Sequence, residues 1–256
     1  MDLGLKDKVV VVTGSSFGIG KAIAESFLNE GARVVITGRG KDRLENTRNE
    51  LVLKYDNNRV LSYTGDLTAE KEIEECLRFV VDNYGTINVL VANVGSGKPD
   101  KNLSDKEEKM RMNRINFEGA RYISEKGADI LKQGSGGSIV FISSIAAFET
   151  HPALSFYSEA KSRLLSFTKI LARRLAPYHI RVNAVAPGNI KFSGGRWEEI
   201  IKENPEVLET IEKEVPMGRF GTPKEVADIV VFLASDRASF VTGACWICDG
   251  GQTNHI

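Results

Sequence analysis

The run Val9-Val10-Val11-Val12 leads directly into Thr13-Gly14-Ser15-Ser16-Phe17-Gly18-Ile19-Gly20, and this junction constrains the chain more than any other feature. Four consecutive β-branched residues have no polar side, so a strand made from them must be covered on both faces. The glycines that follow let the backbone turn sharply. After them Ala22, Ile23, Ser26 and Phe27 mark one apolar helical face. A buried strand entering a helix through a glycine turn opens a βαβ unit. Such a turn gathers unpaired backbone N–H groups at a helix N-terminus, where a phosphate binds. The spacing is GxxxGxG rather than the GxGxxG of the common dinucleotide fingerprint.

The same alternation continues to the end of the chain. Short β-branched runs at Arg33–Thr37, Val60–Tyr63, Asn88–Ala92, Ser138–Ser143, Arg181–Val185 and Ala244–Cys248 predict six further strands. Helical period separates them, as at Ile73, Cys76, Leu77 and Val80. The expected fold is α/β: a Rossmann-type, doubly wound parallel sheet of about seven strands with helices on both faces, in a single domain over 1–256. The stretch 191–215 is rich in Lys, Glu and Gly and contains Gly194-Gly195. It follows the sixth strand, on the side where open α/β sheets bind ligands, and predicts a mobile substrate lid at about 189–217.

Charge and cysteine content narrow the class. Lys+Arg and Asp+Glu both number 34, so the basic excess of a nucleic-acid-binding protein is missing. No apolar run reaches the roughly 18 residues that span a membrane, and the N-terminus has no hydrophobic signal segment. The expectation is a cytoplasmic protein with no membrane or nucleic-acid partner. Cys245-Trp246-Ile247-Cys248 has CxxC spacing, but it falls in a predicted strand, where residues i and i+3 point to opposite faces. His151, His179 and His255 are scattered, so no metal site is expected.

Tyr157-Ser158-Glu159-Ala160-Lys161 places a tyrosine and a lysine on one helical face. A lysine ammonium stabilises a neighbouring phenolate. Bringing a tyrosine pKa from about 10 toward 7 takes roughly 4 kcal/mol, which a nearby buried cation and a positively charged nicotinamide ring together supply. A tyrosine so tuned serves as a general acid or base near neutral pH.

Taken in order, these motifs resemble those of the short-chain dehydrogenase/reductase family, over about residues 5–253. TGxxxGxG falls on residues 13–20, including Gly14, Ser15, Phe17, Gly18, Ile19 and Gly20. The adenine-contacting acid falls on Asp66, followed by Leu67. The NNAG stretch corresponds to Ala92-Asn93-Val94-Gly95, with Ala and Val as departures. Asn116 stands at the helical asparagine, Ser144 lies thirteen positions before Tyr157, Tyr157 and Lys161 form YxxxK, and Pro187-Gly188 follows the sixth strand. The resemblance implies that Tyr157 exchanges a proton with a carbonyl or alcohol and that Ser144 fixes the same oxygen. Lys161 would hold the nicotinamide ribose and depress the Tyr157 pKa, and Asn116 would hold a water in a proton relay. One departure concerns the nicotinamide. Where many relatives have Thr after Pro-Gly this chain has Phe192, leaving Ser193 or the backbone of Ile190 to contact the carboxamide.

The second strand ends in Gly38-Arg39. A carboxylate at this turn would accept from the ribose 2′-OH of NAD and repel a 2′-phosphate. Glycine removes that repulsion and arginine forks onto phosphate, so the expected cofactor is NADP(H), with NAD(H) the alternative. Phe17 stands where some NADP-using relatives carry a basic residue. Ser15 is a further expected contact.

The substrate is expected to be a small carbonyl compound or alcohol. Phe148, His151, Phe192 and Trp197 are candidates to line its pocket, with Glu149, Lys191 and Arg196 as polar contacts. One alternative is a 3-oxoacyl-carrier-protein reductase, for which Arg173 and Arg174 would serve as basic contacts, although Lys132–Ser138 has no arginine. An alternative of another class is a non-catalytic nucleotide-sensing module, against which the intact Asn116, Ser144, Tyr157 and Lys161 argue. A nucleotide-sugar epimerase would need a further C-terminal substrate domain. The resemblance also implies a homo-oligomer, a tetramer or dimer, with the apolar ending Phe240–Cys248 as a candidate interface.

Overall fold

The computed structural model describes residues 1–149 and 155–254. Along the chain run β1 (Val9–Val12), α1 (Gly18–Asn29), β2 (Arg33–Gly38), α2 (Lys41–Lys54), β3 (Val60–Thr64), α3 (Glu70–Tyr84), β4 (Val89–Ala92) and α4 (Asp105–Asn113). They are followed by α5 (Gly119–Gln133), β5 (Gly137–Ile142), α6 (Ser155–Leu175), β6 (Ile180–Pro187), α7 (Arg196–Glu203), α8 (Glu206–Glu214), α9 (Pro223–Ala234) and β7 (Cys245–Cys248). The seven strands pair in parallel, in the order β3-β2-β1-β4-β5-β6-β7. This is the doubly wound sheet expected from the sequence.

The valine run shows why. Val9 and Val11 enter one core, with Ile73 and Leu77 of α3, Ile123 of α5 and Leu164 of α6. Val10 and Val12 enter the other, with Ile23 and Phe27 of α1, Leu44 of α2 and Val230 of α9. Each strand residue thus serves one of two cores, and no side of β1 meets water. Cys245 packs against the first core and Cys248 against the second, so the CxxC thiols diverge as strand geometry requires. Burial pushes the Cys245 thiol up to about 12, which makes it a poor nucleophile. Among the described residues no cluster of His, Cys, Asp and Glu is placed to hold a metal ion.

Strand order reverses beside β1, which has β2 on one side and β4 on the other. At such a switch point the connections leave in opposite directions and open a crevice at the carboxyl ends of the strands. Two local features shape it. Between α4 and α5 the helix widens into one π turn, Arg114–Glu118. The segment expected as a polar lid is instead two short helices, α7 and α8, closed on a small core of their own. Ile211, Val215 and Phe220 are buried there, and Trp197 meets Phe220 edge-on with ring centroids 5.5 Å apart. Its polar composition reflects the outward faces of these helices. Among the described residues no helix is long and apolar enough to cross a membrane.

Candidate active site

One cleft of about 640 Å³ runs along the carboxyl ends of the strands. Its first end is the β1–α1 turn. Gly14 there has φ of 62°, a conformation that glycine adopts without strain. Asn93, just past β4, clamps the turn: its side-chain Nδ2 donates to the carbonyls of Thr13 (2.8 Å) and Gly14 (3.0 Å). Its backbone N–H donates to Thr13 Oγ1. A Cβ on Gly20 would run into the Gly14 carbonyl and the Asn93 amide, so the helix approaches this closely only with glycine. No side chain caps α1 and its first turn has no acid, which leaves its N-terminal N–H groups and positive end facing the cleft. These features fit a dinucleotide pyrophosphate.

Most residues singled out in the sequence line this cleft: Gly14, Phe17, Ile19, Gly20, Arg39, Asp66, Leu67, Asn93, Gly95, Ser144, Tyr157, Lys161, Pro187, Gly188 and Ile190. Three do not. Ser15 is fully buried; its hydroxyl donates to Val12 O and accepts from Thr37 N–H, and its own N–H donates to Thr37 O. It ties β1 to β2 and has nothing left for a ligand. The neighbouring Ser16 faces the cleft instead, against Gly38. Two adjacent serines look alike in a sequence, and only the pairing with Thr37 separates them. Gly18 lies beneath the Phe192 ring, 2.6 Å from where a Cβ would stand. Asn116 is buried one layer behind, in the π turn.

At the second end, Lys161 is 2% exposed. Its Nζ donates to the carbonyl of Ile142 at 2.8 Å and lies 5.7 Å from the centre of the Tyr157 ring. Burial without a counter-charge lowers its pKa from 10.5 to about 8. The Ser144 hydroxyl accepts from Ala146 N–H and also hydrogen-bonds Tyr157. Burial nevertheless raises the Tyr157 pKa, and the bond from Ser144 only partly offsets it. The drop toward neutrality expected from Lys161 alone is therefore absent in the chain by itself, because desolvation of the phenolate outweighs one hydrogen bond.

Gly95 joins these groups. A Cβ there would stand 2.9 Å from Asn116 Oδ1 and 3.0 Å from Lys161 Nζ, so the asparagine and the ammonium meet across a bare backbone. The Asn116 side chain holds that backbone by accepting from Ser96 N–H (2.9 Å) and donating to Ser96 O (3.0 Å). It also donates to Met112 O within the π turn.

The substrate side is closed by Phe192, Arg196 and Trp197, all in the cleft wall. Ser193 points outward, so it does not replace the missing threonine, and Ile190 remains the nearby cleft residue. Arg111, Arg114 and Ser96 also line the cleft and were not singled out in the sequence; only the π turn and the β4–α4 loop bring them there. Phe148, Glu149 and Lys191 do not line it, and His151 lies outside the described residues. Glu149 accepts from Asn254 N–H.

A nucleotide-binding crevice with a tyrosine, a serine and a buried lysine at its inner end defines a dinucleotide-dependent oxidoreductase. Comparison with known proteins agrees: residues 14–253 match the family model described as Enoyl-(Acyl carrier protein) reductase. The chain is 34% identical to the 3-oxoacyl-[acyl-carrier-protein] reductase FabG of Aquifex aeolicus, over 98% of this chain and all of that protein. It is 36% identical to the L-rhamnose-1-dehydrogenase of Scheffersomyces stipitis, over 96% of each. The L-sorbose reductase of Gluconobacter frateurii, solved with NADPH and L-sorbose, superimposes over the full length of both chains with a TM-score of 0.93 at 31% identity. The chain belongs to the short-chain dehydrogenase/reductase family.

Proposed function

We propose that this protein interconverts a carbonyl and a secondary alcohol with NADP(H), using Tyr157 as the general acid/base. The carrying observation is the hydrogen-bonded Ser144–Tyr157 pair beside buried Lys161, in the same cleft as the uncapped glycine turn. When bound, the nicotinamide supplies or accepts the hydride.

The chain's own residues position the substrate oxygen and move the proton. In reduction Tyr157 donates its proton to the carbonyl oxygen as the C–O bond becomes an alkoxide. Ser144 holds that oxygen by a second hydrogen bond. Lys161 holds the nicotinamide ribose and places a positive charge beside the phenolate that results. Because burial alone raises the Tyr157 pKa, its activation depends on charge brought by the loaded site. Asn116 is a positioning residue: it fixes the Gly95–Ser96 backbone against Lys161 and holds the water of a proton relay. Helices α7 and α8 form the lid over the substrate.

Preference for NADP(H) rests on Gly38 and Arg39, both in the cleft wall with no carboxylate at position 38. The identity of the carbonyl compound is read from the relatives: a reducing or dehydrogenating activity on sugars or on 3-oxoacyl thioesters. Arg174 is engaged by Glu125 and Lys132 by Asp129, so few free cations face an acidic carrier protein. This favours the small polyhydroxylated substrate.

The test is turnover of a panel of ketoses, diketones and 3-oxoacyl thioesters with NADPH and NADH. Tyr157→Phe keeps the ring and removes the proton, and turnover should fall by roughly 10²–10⁴ with cofactor affinity nearly unchanged. Near-normal turnover in that variant ends the assignment. Tight NADPH binding with no turnover of any compound favours a nucleotide sensor.

A further inference from the structure

Phe17 is a large apolar residue, 41% exposed, at the mouth of a nucleotide cleft. Burial in a core does not explain it. Its ring meets Phe192 edge-on at 6.0 Å, and on α2 the guanidinium of Arg43 lies 4.8 Å from its centre. A cation at that distance over a phenyl face is attracted by the ring quadrupole and loses part of its rotamer freedom. We infer that Phe17 is a platform that presents Arg43 to the 2′-phosphate of NADP(H), making Arg43 the second cation of that subsite beside Arg39.

Three placements support this. The β1–α1 turn and the β2–α2 turn meet at one point: Ser16 Oγ stands 3.1 Å from where a Gly38 Cβ would be, and the Leu44 side chain 3.7 Å. Arg43 directly precedes Leu44 and sits in the first turn of α2, whose cap residue Gly40 provides no side-chain hydrogen bond. The anion would therefore face Arg39, Arg43 and the open end of a helix together. Arg43 is also exposed, with no ion pair to a carboxylate among those of the described residues, so its charge is not already neutralised. The carboxylates nearest in sequence do not hold it. Asp42 is its chain neighbour, and Glu45 accepts instead from Ser62. An aromatic residue at position 17 thus takes the place of a basic one by holding a cation from the next helix.

This inference rests on the NADP(H) reading, and the experiment separates the two. Dissociation constants are measured calorimetrically for adenosine 2′,5′-bisphosphate, adenosine 5′-monophosphate, NADPH and NADH, on wild type, Arg39→Ala, Arg43→Ala, Phe17→Leu and Phe17→Leu/Arg43→Ala. Arg43→Ala should weaken adenosine 2′,5′-bisphosphate and NADPH about tenfold, the scale of one charge-assisted contact, with less than a twofold change for the two ligands lacking the phosphate. Phe17→Leu should weaken the same two ligands about threefold. The double variant should be no weaker than Arg43→Ala, because Phe17 acts through Arg43. Equal loss for all four ligands, no loss in Arg43→Ala, or additive losses overturn the inference. If wild type prefers NADPH and Arg39→Ala removes that preference while Arg43→Ala leaves it intact, only the role of Arg43 fails. If wild type binds NADH as tightly as NADPH, the cofactor reading itself fails.

Discussion

At the scale of single residues, the site holds its central cation at a cost to the fold. Lys161 is buried with one carbonyl as its hydrogen-bond partner, and its pKa falls to about 8. The folded state therefore binds this proton less tightly than the unfolded chain. That destabilisation is complete below about pH 8 and disappears as pH rises toward the ordinary value of 10.5. Lys161→Met conserves volume and removes the buried charge, offset by loss of the bond to Ile142. It should raise unfolding free energy at pH 7 by about 1–3 kcal/mol while abolishing turnover. Urea melts at pH 7 and 9.5 check this. The advantage must shrink at the higher pH, and a variant less stable than wild type at pH 7 contradicts it. Tyr157 has the opposite sign: its raised pKa makes stability fall with pH once its unfolded-state value near 10 is passed, so the upper point stays below that. YxxxK spacing made this pair legible in the sequence. The inward turn of Ser15 was not legible, because only the contact of its hydroxyl with β2 distinguishes it from Ser16.

At the scale of elements, α7 is held across the cleft. Glu199 of α7 pairs with Lys98 of the β4–α4 loop at 2.9 Å and with Arg196 at 3.1 Å. The Lys98 carbonyl in turn accepts from Arg111, whose guanidinium forks onto the buried carboxylate of Glu108. One side of this latch is thus anchored and the other rides on a two-helix unit. An exposed ion pair contributes at most about 1 kcal/mol to stability. Its effect should instead appear locally. Glu199→Gln should speed amide exchange in 196–214 several-fold, leave exchange in α1 unchanged, and show its largest difference at low salt. Uniform exchange in wild type and variant dissociates the latch from the lid. The strands were readable because β-branched runs report burial on both faces. The helices of 191–215 were not, since each is only eight or nine residues long and the core they share is three buried side chains.

At the scale of the whole molecule, the sheet ends on an unprotected edge. β7 is four residues long, with Trp246 and Ile247 exposed, and Phe240 stands fully exposed just before it. Trp246 stacks on Phe232 of α9, centroids 5.4 Å apart, so the patch is ordered rather than frayed. A monomer with such an edge is a template for pairing, and a second copy of this chain is the expected partner. Ile247→Asp should reduce the particle mass seen by light scattering at micromolar concentration, with the circular dichroism spectrum retained. An unchanged mass would place the oligomer contact elsewhere.

The wide turn at Arg114–Glu118 adds one residue to a helical path that otherwise runs from α4 through α5. In the language of phase, every residue after it is rotated relative to those before. Removing one residue there would turn α5 by about 100° and shift it by about 1.5 Å. Ile123, Ala128 and Leu131 would leave the core together, and Asn116 would swing away from Ser96. Substitutions in the turn should therefore be graded in effect, whereas a single deletion should prevent folding. A chain can exchange residues freely along this helix so long as it keeps count of them.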